Sequence, residues 1–392
     1  MRKKLKEVCD FYSGTGFPVK YQGENDGELP FYKVGDIANN ATAGNVYLSL
    51  CNNFISHDVA KEIKGTIIPS DVVVFAKIGE ALKLNRRAIT ACDCLIDNNA
   101  MGIGGKSEYL NSMYFYFYMK NLKMETLAES TTVPSVRKTK LEEIEIDVPT
   151  LAEQSEIVDI LAKLQKVINE RQEQLEKLDE LIKARFVEFF GDTVINPKGW
   201  TEHRLDEYIT FLTSGSRGWA QYFTDEKNEL FITIKNVKNN HITLGDIQYV
   251  DAPENKEAER TKVKTGDLLI SITADLGRTG VVDDSIADRG AYINQHLSLV
   301  RLDQDKIKPL YVSYFLETSG GKRQFESKNQ KGVKAGLNFE AIKSLKILVP
   351  PIEMQKQYID FVEQVDKSKV AVQKSLDETQ RLFDSLMQEY FG

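Results

Sequence analysis

The chain has 392 residues, 42% of them hydrophobic and 28% charged, with a net charge of −7, enough for more than one domain. No apolar run approaches the roughly 20 residues that span a bilayer, and Met1-Arg2-Lys3-Lys4 leads into charged sequence rather than a signal peptide. Cys9, Cys51, Cys92 and Cys94 all fall in the first half, with neither a disulfide framework nor zinc spacing, so a soluble cytoplasmic protein is expected.

In chain order, residues 1–147 read as a first mixed α/β globule. Short apolar or β-branched runs bounded by Gly, Asp, Asn or Pro, such as Val72 to Phe75, predict strands, and the aromatic stretch Tyr109 to Leu122 predicts a helix. Residues 148–192 form a different kind of segment. From Glu153 to Phe190 there is no Pro or Gly, and Ile157, Leu161, Leu164, Ile168, Leu175, Leu178 and Ile182 recur three and four apart, the seam of a coiled coil. Residues 193–348 read as a second α/β globule, with strands over Leu230 to Ile234, Leu268 to Ile272 and Leu345 to Val349 and a helix over Pro309 to Glu317. Residues 349–392 return to the helical pattern, with Val365, Val372, Leu376, Phe383 and Leu386 on the seam. Gly191 and Gly392 stand where C-cap glycines would stop the two helices.

This order is a repeat. Val148 to Gly191 lies without a gap on Val349 to Gly392 at an offset of 201, matching Val148/Val349, Pro149/Pro350, Gln154/Gln355 and Leu181/Leu382 among others. The match extends backward more loosely: Asn39-Asn40 falls on Asn239-Asn240, and Pro69 to Val74 on Thr265 to Ile270. The fold class expected is α+β: two α/β domains separated by two long helices that pair antiparallel, with a pseudo-two-fold repeat.

The negative charge has a location. The stretch 151–192 carries −4 and 351–392 carries −3, which accounts for the whole −7 and leaves the globular parts neutral. Neutral globules can present a basic face to a polyanion, because phosphate contact depends on local charge.

Catalytic signals are weak. Ala100-Met101-Gly102-Ile103-Gly104-Gly105-Lys106-Ser107 fits a relaxed phosphate loop, but the second copy has a strand-like stretch there and no magnesium ligand follows. Phe11-Tyr12-Ser13-Gly14-Thr15-Gly16 has the glycines of an adenosylmethionine turn without a strand before it or a base-holding motif after it, and His57, His203, His241 and His296 are scattered.

Polar and basic loop residues recur in both copies: Lys77, Lys83, Arg86, Arg87, Asn98, Arg137 and Lys138 in the first, and Ser216, Arg217, Trp219, Gln221, Tyr222, Lys235, Asn236, Arg278, Asn294, Gln295, Lys331 and Lys334 in the second. Arg, Lys, Asn and Gln carry donors that match purine edges in the major groove, and the cations neutralise phosphates. These are the candidate DNA-binding residues.

Two variable domains, each followed by a helix opened by Val-Pro (Val148-Pro149-Thr150-Leu151-Ala152-Glu153-Gln154 and Val349-Pro350-Pro351-Ile352-Glu353-Met354-Gln355), resemble the specificity subunit of type I restriction-modification systems. Phe75 to Ala81, Gly215 to Trp219 and Thr273 to Gly280 resemble target-recognition motifs, whereas Ser13 to Pro18 has no Arg-Gly-Trp equivalent. The resemblance implies a non-catalytic subunit that reads a bipartite double-stranded DNA target and holds two modification subunits and the restriction subunits. S-adenosylmethionine, ATP and magnesium then belong to those partners. Paired helices would act as a ruler fixing the spacer between half-sites. The alternative is a coiled-coil assembly adaptor that reads no sequence.

Overall fold

The computed structural model describes residues 1–128, 133–328 and 336–392. Two long helices, Leu151–Phe190 and Ile352–Phe391, each of 40 residues, alternate with strand-rich parts; at 1.5 Å per residue each is about 60 Å long. The chain divides into two compact units, Met1–Gln174 with Val372–Gly392, and Leu175–Ala371. Each unit thus contains one strand-rich part and a part of each long helix.

In the first unit, Arg2–Lys4 pairs antiparallel with Glu145–Asp147, Arg2 opposite Asp147. This ribbon closes the globular part on itself just before Val-Pro releases the chain into the helix. The main sheet is antiparallel, in the order Cys9–Ser13, Ala100–Gly105, Val72–Ala76, Arg87–Ile89. The glycine-rich stretch that fits a phosphate loop is therefore an inner strand. A Cβ on Gly102 would lie 2.9 Å from Val72 Cγ1, so glycine there serves close packing, and Lys106 Nζ donates to the Glu7 carbonyl at 3.3 Å. A smaller sheet joins Phe54–Ile55, Leu29–Tyr32 and Leu95–Ile96, the last two in parallel.

The aromatic helix of this unit is Ser112–Asn121, three residues shorter at its start than the aromatic pattern suggests, because Asn111 caps it by accepting from Met113 N and Tyr114 N. Tyr114 through Met119 are all buried, as in a helix enclosed on every side. Its core includes Leu161 and Ile168 from the first long helix and Phe383 and Met387 from the second, with the Phe117 and Phe383 rings edge-on at 6.2 Å.

The second unit repeats the plan. Glu202–Arg204 pairs with Lys346–Leu348, and Ile209–Ser214, Leu297–Leu302, Leu268–Ser271 and Thr279–Val281 follow the same sheet order, extended by two further strands. Even the register recurs: Val73 opposite Ile103 in the first unit corresponds to Leu268 opposite Val300 in the second. The helix Pro309–Glu317 packs on Ile182, Phe186 and Phe190 and on Tyr358, Val362 and Val365. Tyr358 Oη donates to the Ile182 carbonyl at 3.3 Å and Lys369 Nζ to Asp179 Oδ1 at 2.6 Å. Contacts that advance along one helix while retreating along the other mean antiparallel packing.

Of the seam residues read from sequence, Leu161, Ile168, Ile182, Val365, Val372 and Phe383 are buried, and Ile157, Leu164, Leu175, Leu178, Leu376 and Leu386 are half-buried. Phe186, Phe190, Tyr358, Val362 and Met387 join them in the core. Gly191 ends the first helix at φ +81°, the left-handed conformation a C-terminal glycine permits.

Candidate nucleic-acid interface

In the second unit the site starts at a parallel strand pair. Glu229–Ile232 and Ala291–Ile293 run side by side and end together, and Asn294 N donates to the Ile232 carbonyl at 3.0 Å. Their outgoing segments, carrying Lys235 on one side and Asn294, Gln295 and His296 on the other, are adjacent for that reason. An opening loop, 214–219, is clipped onto them: Gly215 N donates to the Leu297 carbonyl at 3.1 Å and Ser216 bridges to Asn294. A Cβ on Gly215 would stand 2.1 Å from the Asn294 oxygen, so only glycine allows the clip. Beyond it, Trp219 is 5% exposed and lies against Phe231 at 5.2 Å and Tyr292 at 5.0 Å. Arg217, exposed between clip and plug, has no side-chain partner among the described residues. A third loop closes the group, with Ile272 N donating to the His296 carbonyl at 2.9 Å and Thr273 Oγ1 2.6 Å from His296 Nδ1.

The first unit builds the same cluster from different residues. Asp97 N donates to the Tyr32 carbonyl at 3.0 Å, Thr15 N to the Ile96 carbonyl at 2.9 Å, and Thr15 bridges to Asp97. A Cβ on Gly14 would stand 1.7 Å from the Asp97 oxygen. Phe17 stacks on Phe31 at 3.8 Å and 9°, the place Trp219 takes on Phe231. The first opening loop therefore has an aromatic plug after all: it lacks the arginine, which falls at Gly16, and is one residue shorter. Lys77 N donates to the Asn99 carbonyl, and Val136 N to the Lys77 carbonyl, both at 2.9 Å. These bonds bring Lys77, Asn98 and Arg137 together.

The other candidates separate clearly. Ser216, Arg217, Lys235, Asn294, Gln295 and Arg278 belong to the second unit's loop group, although Arg278 is ion-paired with Asp275. Gln221, exposed, and Tyr222, half-buried, sit on the short helix Trp219–Tyr222. Lys138 lies 5.6 Å over the Phe11 ring and 3.6 Å from Glu142. Lys83 pairs with Glu80 at 2.9 Å on its own helical turn. Arg86 lines a cleft of about 620 Å³ with Lys120, Gln165 and Asn169, beside the aromatic helix rather than among the loops. Lys331 and Lys334 lie outside the described residues.

Three candidates are corrected. Arg87 is 3% exposed, and its guanidinium donates to the Met119 carbonyl at 2.9 Å, the Leu122 carbonyl at 3.1 Å and Asn85 Oδ1 at 2.6 Å. It satisfies the last carbonyls of the aromatic helix, as a cation at a helix C-terminus does, and burial lowers its pKa to about 10. Asn236 is fully buried; its side chain accepts from Thr233 N at 2.9 Å and donates to the Thr243 and Gly245 carbonyls at 3.1 and 3.0 Å. Trp219 is the buried plug described above. Each was chosen for its residue type, and each spends its polar or aromatic groups inside the fold. The sequence reading also missed Arg260, whose partners lie more than forty residues away.

Among the described residues no group of three His, Cys, Asp or Glu side chains could hold a metal ion, and no helix is long and apolar enough to cross a membrane. What the site offers is cationic and amide donors on clipped loops, twice over, with long helices attached. That is a duplicated DNA-recognition protein. The family described as the type I restriction modification DNA specificity domain matches residues 1–178 and 197–379, and the chain belongs to it. Its relatives include the type I restriction enzyme EcoBI specificity subunit of Escherichia coli, 20% identical across 100% of this chain and 85% of that protein. The putative specificity subunit S.HindORF215P of Haemophilus influenzae is 23% identical across 93% of this chain and 87% of that one. The S subunit of the type I system of M. genitalium has the same fold, with a TM-score of 0.59 at 14% identity over 100% of this chain and 96% of that chain. The chain is thus a specificity subunit of a type I restriction-modification complex, a DNA-recognition component whose catalytic activities lie in partner subunits.

Proposed function

We propose that each globular part reads one half of a bipartite target through its own clipped loop cluster, with bases contacted from the second cluster by Arg217, Lys235, Asn294, Gln295 and Arg278. In the first cluster the reading residues are Lys77, Asn98 and Arg137. The observation that carries this reading is the shared clip: glycine against a backbone oxygen, Gly14 on Asp97 and Gly215 on Asn294, with an aromatic plug beyond it. The scaffold is common and the exposed side chains differ, so the two half-sites differ. The long helices hold two modification subunits and the restriction subunits. S-adenosylmethionine, ATP and magnesium are bound by those partners, and the complex acts in the cytoplasm.

The test is a domain exchange. Replacing residues 1–147 by those of a homologous subunit and mapping methylated sites in cells with the modification partner changes one half-site and leaves the other. An adaptor without sequence readout would give the same sites after the exchange, and would keep its sequence choice when Arg217, Lys235 or Arg278 is changed to Ala.

A further inference from the structure

Arg260 lies at the end of a short helix, Lys256–Thr261, and reaches across to the opening loop of the second unit. Its guanidinium donates to Thr213 Oγ1, to the Ser214 carbonyl at 2.8 Å and to Ser216 Oγ at 3.0 Å. Those acceptors end one residue before Arg217. The same stretch is held from its other side by the Gly215 bond to Leu297 and the Ser216 bridge to Asn294. The guanidinium spreads its donors in a fixed plane over two nitrogens, whereas a lysine ammonium gathers its three donors at one point on a flexible stem.

The first unit supplies the contrast. The helix in the matching place, His57–Glu62, makes no side-chain bond to the opening loop, residues 13–16, among the described residues; its Glu62 takes Lys20 at 2.9 Å instead. That loop carries Gly16 at its tip and is tied by Thr66 N donating to Thr15 Oγ1 at 3.3 Å. A guanidinium brace is present where the loop must aim an arginine and absent where the tip has no side chain.

We infer that Arg260 is a positioning residue for sequence readout: it fixes the Thr213–Ser216 segment so that Arg217 projects toward one base pair of the half-site read by the second unit. This rests on the reading of the opening loop as a DNA-contacting surface. It requires no DNA contact by Arg260 itself.

The experiment uses the full chain assembled with its modification partner, and measures binding to duplexes with single base substitutions across both half-sites. Four variants are compared: Arg217→Ala, Arg260→Ala, Arg260→Lys and the double alanine variant. Arg217→Ala lowers discrimination at one position by roughly tenfold, the size of one lost bidentate contact. Arg260→Ala lowers it at that same position, Arg260→Lys does not restore it, and the double variant loses no more than Arg217→Ala alone. Unchanged discrimination at the first half-site in the same molecules shows that the assembly is intact. Additive losses in the double variant, or uniform weakening on every duplex from Arg260→Ala, overturn the positioning role while leaving the loop reading in place. No effect of Arg217→Ala overturns the loop reading and the inference together.

Discussion

Gln154 in the first long helix and Gln355 in the second make the same bond: Oε1 of each accepts the backbone N–H that starts the aromatic helix of its unit, from Asn111 at 2.8 Å and from Lys308 at 2.9 Å. Both are fully buried, and each amide nitrogen returns to the proline carbonyl of its own Val-Pro step, Pro149 or Pro350, at 2.9 Å. The glutamine is a bracket between the start of the long helix and the core helix beneath it.

Removing the bracket strands a buried amide N–H and a proline carbonyl. Gln355→Ala is expected to cost about 1–3 kcal/mol, and Gln154→Ala a similar amount in its own unit. Urea denaturation followed by far-UV circular dichroism measures the change, and a loss below a few tenths would mean that water replaces the amide.

Asp267 and Arg301 form a two-pronged pair in the second sheet, with both contacts at 2.7 Å and the Asp267 side chain 1% exposed. Breaking such a pair from one side leaves a charge without its partner. Asp267→Ala is expected to destabilise by roughly 3 kcal/mol. The denaturation midpoint against the wild-type chain measures it, and an unchanged midpoint would mean that solvent takes the place of the carboxylate beside Arg301.

Arg87→Ala should lower stability by about 2 kcal/mol, because the Met119 and Leu122 carbonyls lose charged donors. The folded fraction should bind DNA with unchanged affinity and unchanged salt dependence. A shallower salt slope would show instead that Arg87 meets phosphate.

Gly215→Ala drives a methyl group into the Asn294 carbonyl and should disorganise the opening loop. Discrimination at the second half-site falls while the first is preserved, and Gly14→Ala does the reverse. Footprinting of both variants on one bipartite duplex tests this directly.

Glu143 takes Lys4 and Lys6 at 2.5 Å each, and these bonds hold its pKa down at about 2. A depressed carboxylate stabilises the fold above the unfolded value of about 4.5 and loses that contribution as pH falls toward 2. The stability difference between the wild-type chain and Glu143→Gln should therefore be present at pH 7 and shrink by pH 3. The group is fully exposed, so the effect also shrinks in high salt.

The sequence by itself determined the duplication, the two long helices and their seams. Periodicity is a local property, and an offset of 201 with Gln154 on Gln355 is visible without any coordinates. It also located the acidic excess on the helices and placed Arg217, Asn294 and Lys77 in loops. It could not separate exposed donors from inward-turned ones: Arg87, Asn236 and Arg217 look alike as letters, and only the carbonyls around the first two decide their role. Phe17 and Trp219 differ as letters yet fill the same place, because the constraint is a stacked ring over Phe31 or Phe231. The ribbons, the glycine clips and the reach of Arg260 join residues far apart in the chain. Such contacts are decided by tertiary packing, where a partner's position rather than its spacing sets the energy.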